Sequence, residues 1–219
     1  MTQGIITINL GGLMGLGVNC YLIKTDTGNL LIDTGYSTKR DKLLVGLNKV
    51  GCKPGNLKAI VITHGHGDHI GNCAYLRKMF GAKIIMHGGD SEIVEHEDTS
   101  IHGIGKIILG ITSFLVRIGE IEHFIPDLYI EDGYDLSGEG INAKVIHIPG
   151  HSKGSIGILT SNGELFCGDI VMNMGKPRRH FIAVDSIAYN ESMEKIRKNK
   201  ITMIYPGHGK PFPMELLPK

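Results

Sequence analysis

Short runs of β-branched and aliphatic residues open the chain, at Ile5 to Leu10, Val18 to Lys24 and Leu30 to Ile32. They are separated by a glycine-rich stretch and by Asp26-Thr27-Gly28-Asn29, which has the composition of a hairpin turn. This predicts an antiparallel start. After Asp33-Thr34-Gly35 the apolar period lengthens: Leu43, Leu44, Leu47 and Val50 recur at helical spacing, with Ser37 as the expected cap and Gly51 as the stop. A strand is predicted over Lys58 to Thr63. A helix over His69 to Phe80 carries Cys73, Leu76 and Phe80 on one stripe, and a strand over Lys83 to Met86 follows. Beyond Pro126, strands are predicted at Tyr129 to Ile130, Ala143 to Ile148, Ser155 to Leu159, Glu164 to Cys167 and Thr202 to Tyr205. A helix over Ser186 to Lys198 turns Tyr189, Met193 and Ile196 inward.

Between these blocks, residues 90–126 differ. Ile101, Ile104, Ile108, Ile111, Leu115 and Ile118 recur at three- and four-residue steps, interrupted by glycines that weaken a helix. The segment reads as a helical insert with three possible roles: packing onto its own domain, covering a site as a lid, or forming a homodimer interface. Strands and helices otherwise fall into two similar blocks. That arrangement predicts an α/β fold of the αββα type, two mixed β-sheets with helices on the outer faces, in a single domain spanning 1–219.

Composition narrows the functional classes. The 23 Lys+Arg residues nearly balance the 22 Asp+Glu over 219 residues, and the net charge of +1 leaves no basic footprint for nucleic acid and no polybasic membrane contact. The apolar run from Gly4 to Ile23 lacks a basic flank and is interrupted by Asn9 and Asn19, so it reads as strands rather than a targeting segment. Four widely spaced cysteines suit neither a zinc ribbon nor a disulfide framework; they read as small core residues and point to a cytoplasmic protein.

The chemistry concentrates in Thr63-His64-Gly65-His66-Gly67-Asp68-His69, where a predicted strand meets a predicted helix. In an extended strand end, His64 and His66 project to one side and suit one cation, while Asp68 and His69 project elsewhere and suit a second. Three fragments share this style, each setting a His or Asp beside glycine just past a strand: Pro149-Gly150-His151, Gly168-Asp169 and Pro206-Gly207-His208. Of the other histidines, His87 and His147 read as hydrogen-bonded structural residues, and His96, His102 and His123 as surface residues in the insert.

With these motifs in this order, and Asp33-Thr34-Gly35 ahead of them, the chain resembles the metallo-β-lactamase fold superfamily over essentially its whole length. The resemblance implies that His64, His66 and His151 hold one metal, that Asp68, His69 and His208 hold another, and that Asp169 bridges them. Asp33 is expected to brace a ligand loop. The implied cofactors are two Zn2+, with iron or manganese as alternatives. The implied activity is hydrolysis of an ester, thioester or lactone carbonyl of a small-molecule substrate by a hydroxide bound between the metals, with Asp68 orienting that hydroxide or shuttling its proton.

An aspartate at 169, where many true β-lactamases of the fold carry cysteine, is similar to glyoxalase II type hydrolases and acyl-homoserine lactonases. The lactonases carry a tyrosine three residues after the bridging aspartate, where this chain has Met172. The basic segment with Lys176, Arg178, Arg179 and His180 reads either as substrate contacts for a carboxylate or phosphate or as a solvated loop. Two other activities resemble the same fold: an iron-dependent oxidoreductase of the persulfide dioxygenase kind, and a phosphodiesterase or nuclease.

Overall fold

A computed structural model describes residues 4–12, 17–95 and 121–218. Six strands build the first sheet in sequence order: β1 (Ile5–Asn9), β2 (Asn19–Thr25), β3 (Gly28–Ile32), β4 (Leu57–Val61), β5 (Lys83–Met86) and β6 (Leu128–Tyr129). The first three are antiparallel, as the hairpin signals require, and β3 to β6 run parallel. Helix α1 (Arg40–Lys49) connects β3 to β4, and α2 (Gly67–Ile70) with α3 (Cys73–Phe80) connects β4 to β5; α4 (Ser91–Glu95) follows β5. The second sheet has the order β13-β12-β9-β8-β7, built from β7 (Ala143–His147), β8 (Ile156–Thr160), β9 (Glu164–Gly168), β12 (Met203–Pro206) and β13 (Phe212–Pro213). Between β9 and β12 lie a two-stranded ribbon, β10 (Val171–Asn173) with β11 (Pro177–Arg179), and helix α5 (Ser186–Lys198).

Alternation along the strands generates the layers. On β3, Leu31 points outward to Leu43 and Leu47 of α1 and Leu76 of α3, while Leu30 and Ile32 point inward. There they join Ala59, Val61 and Ile85, and meet Val145, Ile156, Ile158 and Phe166 of the second sheet. That sheet's outer face, with Ile146, Leu165 and Ile204, packs under Tyr189, Met193 and Ile196 of α5. Each sheet is thus covered by helices on one face and by the other sheet on the second, which is the four-layer αββα sandwich expected.

Several local expectations change. The helix expected over His69 to Phe80 is two helices, because Asn72 turns its side-chain amide onto the carbonyls of Thr34 and Tyr36 at 2.8 and 2.9 Å and so anchors the break to the β3–α1 loop. Ser37 does not cap α1; it begins a 3-10 turn, Ser37–Lys39, ahead of that helix. The basic segment read as loop contains strand β11. The helical-insert expectation falls mostly on 96–120, outside the described residues, as do His96, His102 and the isoleucine stripe. Its flanks belong to the domain: Asp90 and Phe124 are buried, and the Phe124 amide donates to the Val94 carbonyl at 3.0 Å. No helix among the described residues is long and apolar enough to cross a membrane.

Candidate metal centre

Both sheets deliver their parallel strands to the same end of the molecule. Past β3 comes Asp33, past β4 the His64–His69 segment, past β9 Asp169 and past β12 His208; the β7–β8 turn adds His151. Loops at this end sit on rigid strands, which lets short polar side chains from distant parts of the chain converge.

Two donor groups result. In the first, His151 Nε2 lies 3.2 Å from His64 Nε2 and 3.0 Å from His66 Nδ1. Tetrahedral zinc with Zn–N of about 2.0–2.1 Å would space its ligands by roughly 3.3 Å, so the trio has the separation of one coordination edge. In the second, Asp68, His69, Asp169 and His208 bring their donor atoms within 4.8 Å of one another, with His208 Nε2 3.1 Å from Asp68 Oδ2 and 3.2 Å from Asp169 Oδ2. Asp169 stands between the groups, its Oδ2 also 3.8 Å from His151 Nε2.

Hydrogen bonds on the far side of each ring decide which nitrogen faces inward. Asp33 Oδ2 accepts from His69 Nδ1 at 2.8 Å and also from Thr63 Oγ1, while Asp33 Oδ1 accepts from the Thr63 amide. With its own hydrogen committed to Asp33, Thr63 Oγ1 is left to accept from His64 Nδ1 at 3.1 Å. His151 Nδ1 donates to the Ile182 carbonyl at 3.0 Å, and His208 Nδ1 to the Gly17 carbonyl at 3.3 Å. Four imidazoles thus point Nε2 toward the centre, the orientation that metal-ligating histidines adopt.

The residues fit a cation on a further count. His69 Nε2 and Asp169 Oδ1 are buried without a hydrogen-bond partner, although native interiors seldom leave such atoms unpaired. They lie 3.6 Å apart and both face the second group. The space beside them is kept open by Gly207, where an added Cβ would collide with Asp169 Oδ1 and lie 2.7 Å from His69 Cε1.

Electrostatics separate the two groups. Burial first, and then the neighbouring imidazoles, push His64 down; His151 falls to about 4 for the same reasons, despite the pull of Asp169. Burial also lowers His66, against the opposing carboxylates. The trio is therefore neutral and its lone pairs are available. In the second group burial alone would lower His208, but Asp169 and Asp68 outweigh it and raise it to about 10; Asp68, Asp33 and Asp169 likewise raise His69. Against burial, His69 and His208 hold Asp68 and Asp169 below the usual carboxylate range. Positive charge is thus stabilised where the two carboxylates meet.

All seven expected ligands come together here. Of the expected substrate contacts, His180 joins them, with Nε2 3.5 Å from Asp169 Oδ2, and burial lowers it to about 4. Arg178 and Arg179 are exposed on β11; the first places Nε against Met172 Sδ and the second donates to Asn190 Oδ1 at 2.7 Å. Lys176 is exposed.

Sequence reasoning missed three supports. Asp90, buried at the start of the segment read as insert, accepts from the Gly65 amide at 2.8 Å, Ser152 Oγ at 2.7 Å and the Gly154 amide at 2.7 Å, tying the His64–His66 loop to the His151 loop. Asn19 Nδ2 and Tyr21 Oη hold the carbonyl of Pro206 at 3.0 and 2.6 Å, beside His208. The Tyr36 phenol is raised by burial and by Asp68 and Asp169, so it remains a donor toward Asp68. Tyr36 directly follows the Asp33-Thr34-Gly35 motif, which was a usable signal; nothing local marks Asp90 or Asn19.

Comparison with known proteins agrees with this geometry. The metallo-beta-lactamase superfamily model matches residues 13–208. The hydroxyacylglutathione hydrolase GloC of Haemophilus influenzae is 29% identical over 200 residues, covering 87% of this chain and 85% of its own. A beta-lactamase-like protein 2 homolog of Caenorhabditis elegans is 26% identical over 88% of this chain, which spans only 56% of that protein. An atrochrysone carboxyl ACP thioesterase of Aspergillus fumigatus is 26% identical over 92% of this chain and 53% of its own. Among solved structures, a metallo-beta-lactamase family protein of Thermus thermophilus superposes with a TM-score of 0.77 at 22% identity, covering 96% of this chain and 75% of that one. TTHA1623, solved in a di-iron-bound form, superposes at 0.72 with 27% identity over 96% of both chains. With the model covering most of its length and the fold and His/Asp cluster in agreement, this chain belongs to the metallo-beta-lactamase superfamily.

Proposed function

We propose that the protein is a metal-dependent hydrolase of an ester, thioester or lactone bond in a small molecule, working through a two-metal centre, with zinc as the first choice of metal. The observation that carries this reading is the convergence of seven donor side chains with His69 Nε2 and Asp169 Oδ1 buried and unpaired among them. The acyl class is supported by the relatives named as a hydroxyacylglutathione hydrolase and an ACP thioesterase. His64, His66 and His151 would hold one cation, Asp68, His69 and His208 the other, and Asp169 both. Bound there, the cations supply Lewis acidity for the carbonyl and lower the pKa of water toward about 7.

The chain's own residues do the rest. Asp68, half-buried while His69 and His208 beside it are buried, can take a proton from the attacking water and pass it to the departing oxygen or sulfur. Asp33, Thr63 and the carbonyls of Ile182 and Gly17 engage Nδ1 of His69, His64, His151 and His208, which leaves Nε2 of each ring as the nitrogen presented to a cation. Arg178 and Arg179, exposed just before His180, would select a carboxylate or phosphate on the substrate; unchanged KM after neutral substitution of both would show that they do not. Four free, buried thiols suit a reducing compartment such as the cytoplasm.

The test is metal content by mass spectrometry joined to a panel of thioesters, lactones and phosphoesters. The expected result is two equivalents of metal and turnover of an acyl substrate, both lost in His64→Ala with His151→Ala. Metal-free protein after refolding with excess zinc, or turnover confined to phosphoesters, overturns the reading. The di-iron form of TTHA1623 favours one second reading, an iron-dependent oxidoreductase, because His and carboxylate ligands suit iron as well as zinc. Anaerobic purification followed by metal analysis, with oxygen uptake measured on a persulfide, separates the two.

A further inference from the structure

The backbone of Ile182 touches two histidines with opposite chemistry. Its carbonyl oxygen is 3.0 Å from His151 Nδ1. A carbonyl only accepts, so His151 carries its hydrogen there and turns a bare Nε2 toward His64 and His66. The Ile182 amide is 3.1 Å from His180 Nδ1 and donates to it. A nitrogen that accepts in this way holds a lone pair, so the ring hydrogen of His180 sits on Nε2. That nitrogen stands 3.5 Å from Asp169 Oδ2, at the long limit of a hydrogen bond, while His208 lies closer to the same oxygen at 3.2 Å. One residue thereby sets two neighbouring imidazoles to opposite tautomers.

The rest of the surroundings fix His180 in place. Its ring packs edge-on against His151, with centroids 4.6 Å apart, and is stacked at 4.5 Å by Phe181, a side chain 66% exposed at the rim. Its amide donates to Tyr189 Oη at 2.9 Å, and that hydroxyl donates in turn to the Ile170 carbonyl. By spacing alone, His151, Asp169 and His180 make a third group able to hold a cation. Enlisting His180 would require the hydrogen to move to Nδ1, where it would confront the Ile182 amide and leave a buried donor without an acceptor.

We propose that His180 is not a metal ligand but a hydrogen-bond donor, its Nε2–H directed past Asp169 at the substrate oxygen that gains negative charge during attack. This rests on the acyl-hydrolase reading of the same centre. Met172, three residues past Asp169 and buried on β10, has no hydrogen to donate. A donor fixed before the substrate arrives needs no reorganisation as charge develops.

The deciding experiment is imidazole nitrogen NMR on protein loaded with 113Cd, a metal whose coupling marks each coordinated nitrogen. His64, His66, His69, His151 and His208 are expected to couple to cadmium. His180 is expected to show none, with its hydrogen on Nε2 and a bare Nδ1. Cadmium coupling at His180, or a hydrogen on its Nδ1, overturns the proposal. Absence of coupling at all six overturns the metal centre itself, and the proposal with it, which is a different pattern. Kinetics with S-phenyl thioacetate gives a second readout. H180F is expected to retain the wild-type zinc complement and lose about 100-fold in kcat with little change in KM, and H180Q, which keeps a donor, to recover part of the loss. Zinc loss in both variants, or wild-type kcat in H180F, counts against the donor role.

Discussion

Asp33 shows how much a single side chain can decide at this centre. It adopts a positive φ of 60°, which aspartate tolerates better than most residues, and from there its two oxygens reach Thr63 and His69 while Thr63 passes the constraint on to His64. Asp33→Asn preserves the shape but turns an amide donor toward groups that also donate. We expect zinc affinity at the Asp68, His69 and His208 group to fall about 10–100-fold, measured by titration calorimetry, with the His64 trio less affected; equal loss at both would mean that Asp33 supports the fold rather than the ligand. His87 offers a pH test away from the donors. It stacks on His147 at 4.0 Å, and burial, reinforced by His147, lowers it against the pull of Glu131. Folding therefore favours its neutral ring. This contribution to stability is complete above the unfolded value of about 6.5 and is lost as the pH falls below it. Urea midpoints of His87→Gln should accordingly decline less than wild type from pH 7.5 to 5, and parallel curves would assign the acid sensitivity elsewhere.

Among the elements, strands and the long terminal helix were the most legible. Ser186–Lys198 and Lys83–Met86 match expectation residue for residue, because an amphipathic period or a run of β-branched residues states its own geometry. The break between α2 and α3 was not legible, since the apolar stripe of α3 can be extended back to His69 on paper. What interrupts it is tertiary: the backbone of residues 35–37 passes so close to Gly71 that an added Cβ would lie 2.5 Å from the Ser37 amide and 2.7 Å from the Gly35 carbonyl. Gly71→Ala should therefore cost about 1–3 kcal/mol, lowering Tm through displacement of the turn that carries Asp68 and His69. A variant as stable as wild type would show that this loop yields easily. The ribbon β10–β11 escaped for another reason: both strands are three residues long, and β11 is Pro-Arg-Arg, so there is too little pattern to register.

For the whole molecule, the centre is a seam between the two sheets, so occupancy should be read out in global stability. A ligand that binds only the folded state at 100 times its Kd stabilises by about 2.7 kcal/mol, which for a domain of this size is roughly 5–11 °C in Tm. Adding zinc to chelator-treated protein should produce such a rise in calorimetry, abolished in His64→Ala with His151→Ala; a rise that persists there would place the effect outside this centre. The sequence by itself carried the strand and helix periods of the layers and marked His64, His66, Asp68 and His69 through the His-x-His-x-Asp-His spacing, because these are local properties of the chain; His151, Asp169 and His208 stood out only by their place beside glycine past a strand and by the family resemblance. Only the tertiary structure decided which nitrogen of each ring faces inward, that His180 stands among the donors, and that Asp90 and Asn19 brace their loops. The partners in those contacts are mostly backbone carbonyls and amides, which every residue carries alike, so nothing in a sequence marks those of Gly17, Gly65, Ile182 and Pro206 until folding aims them.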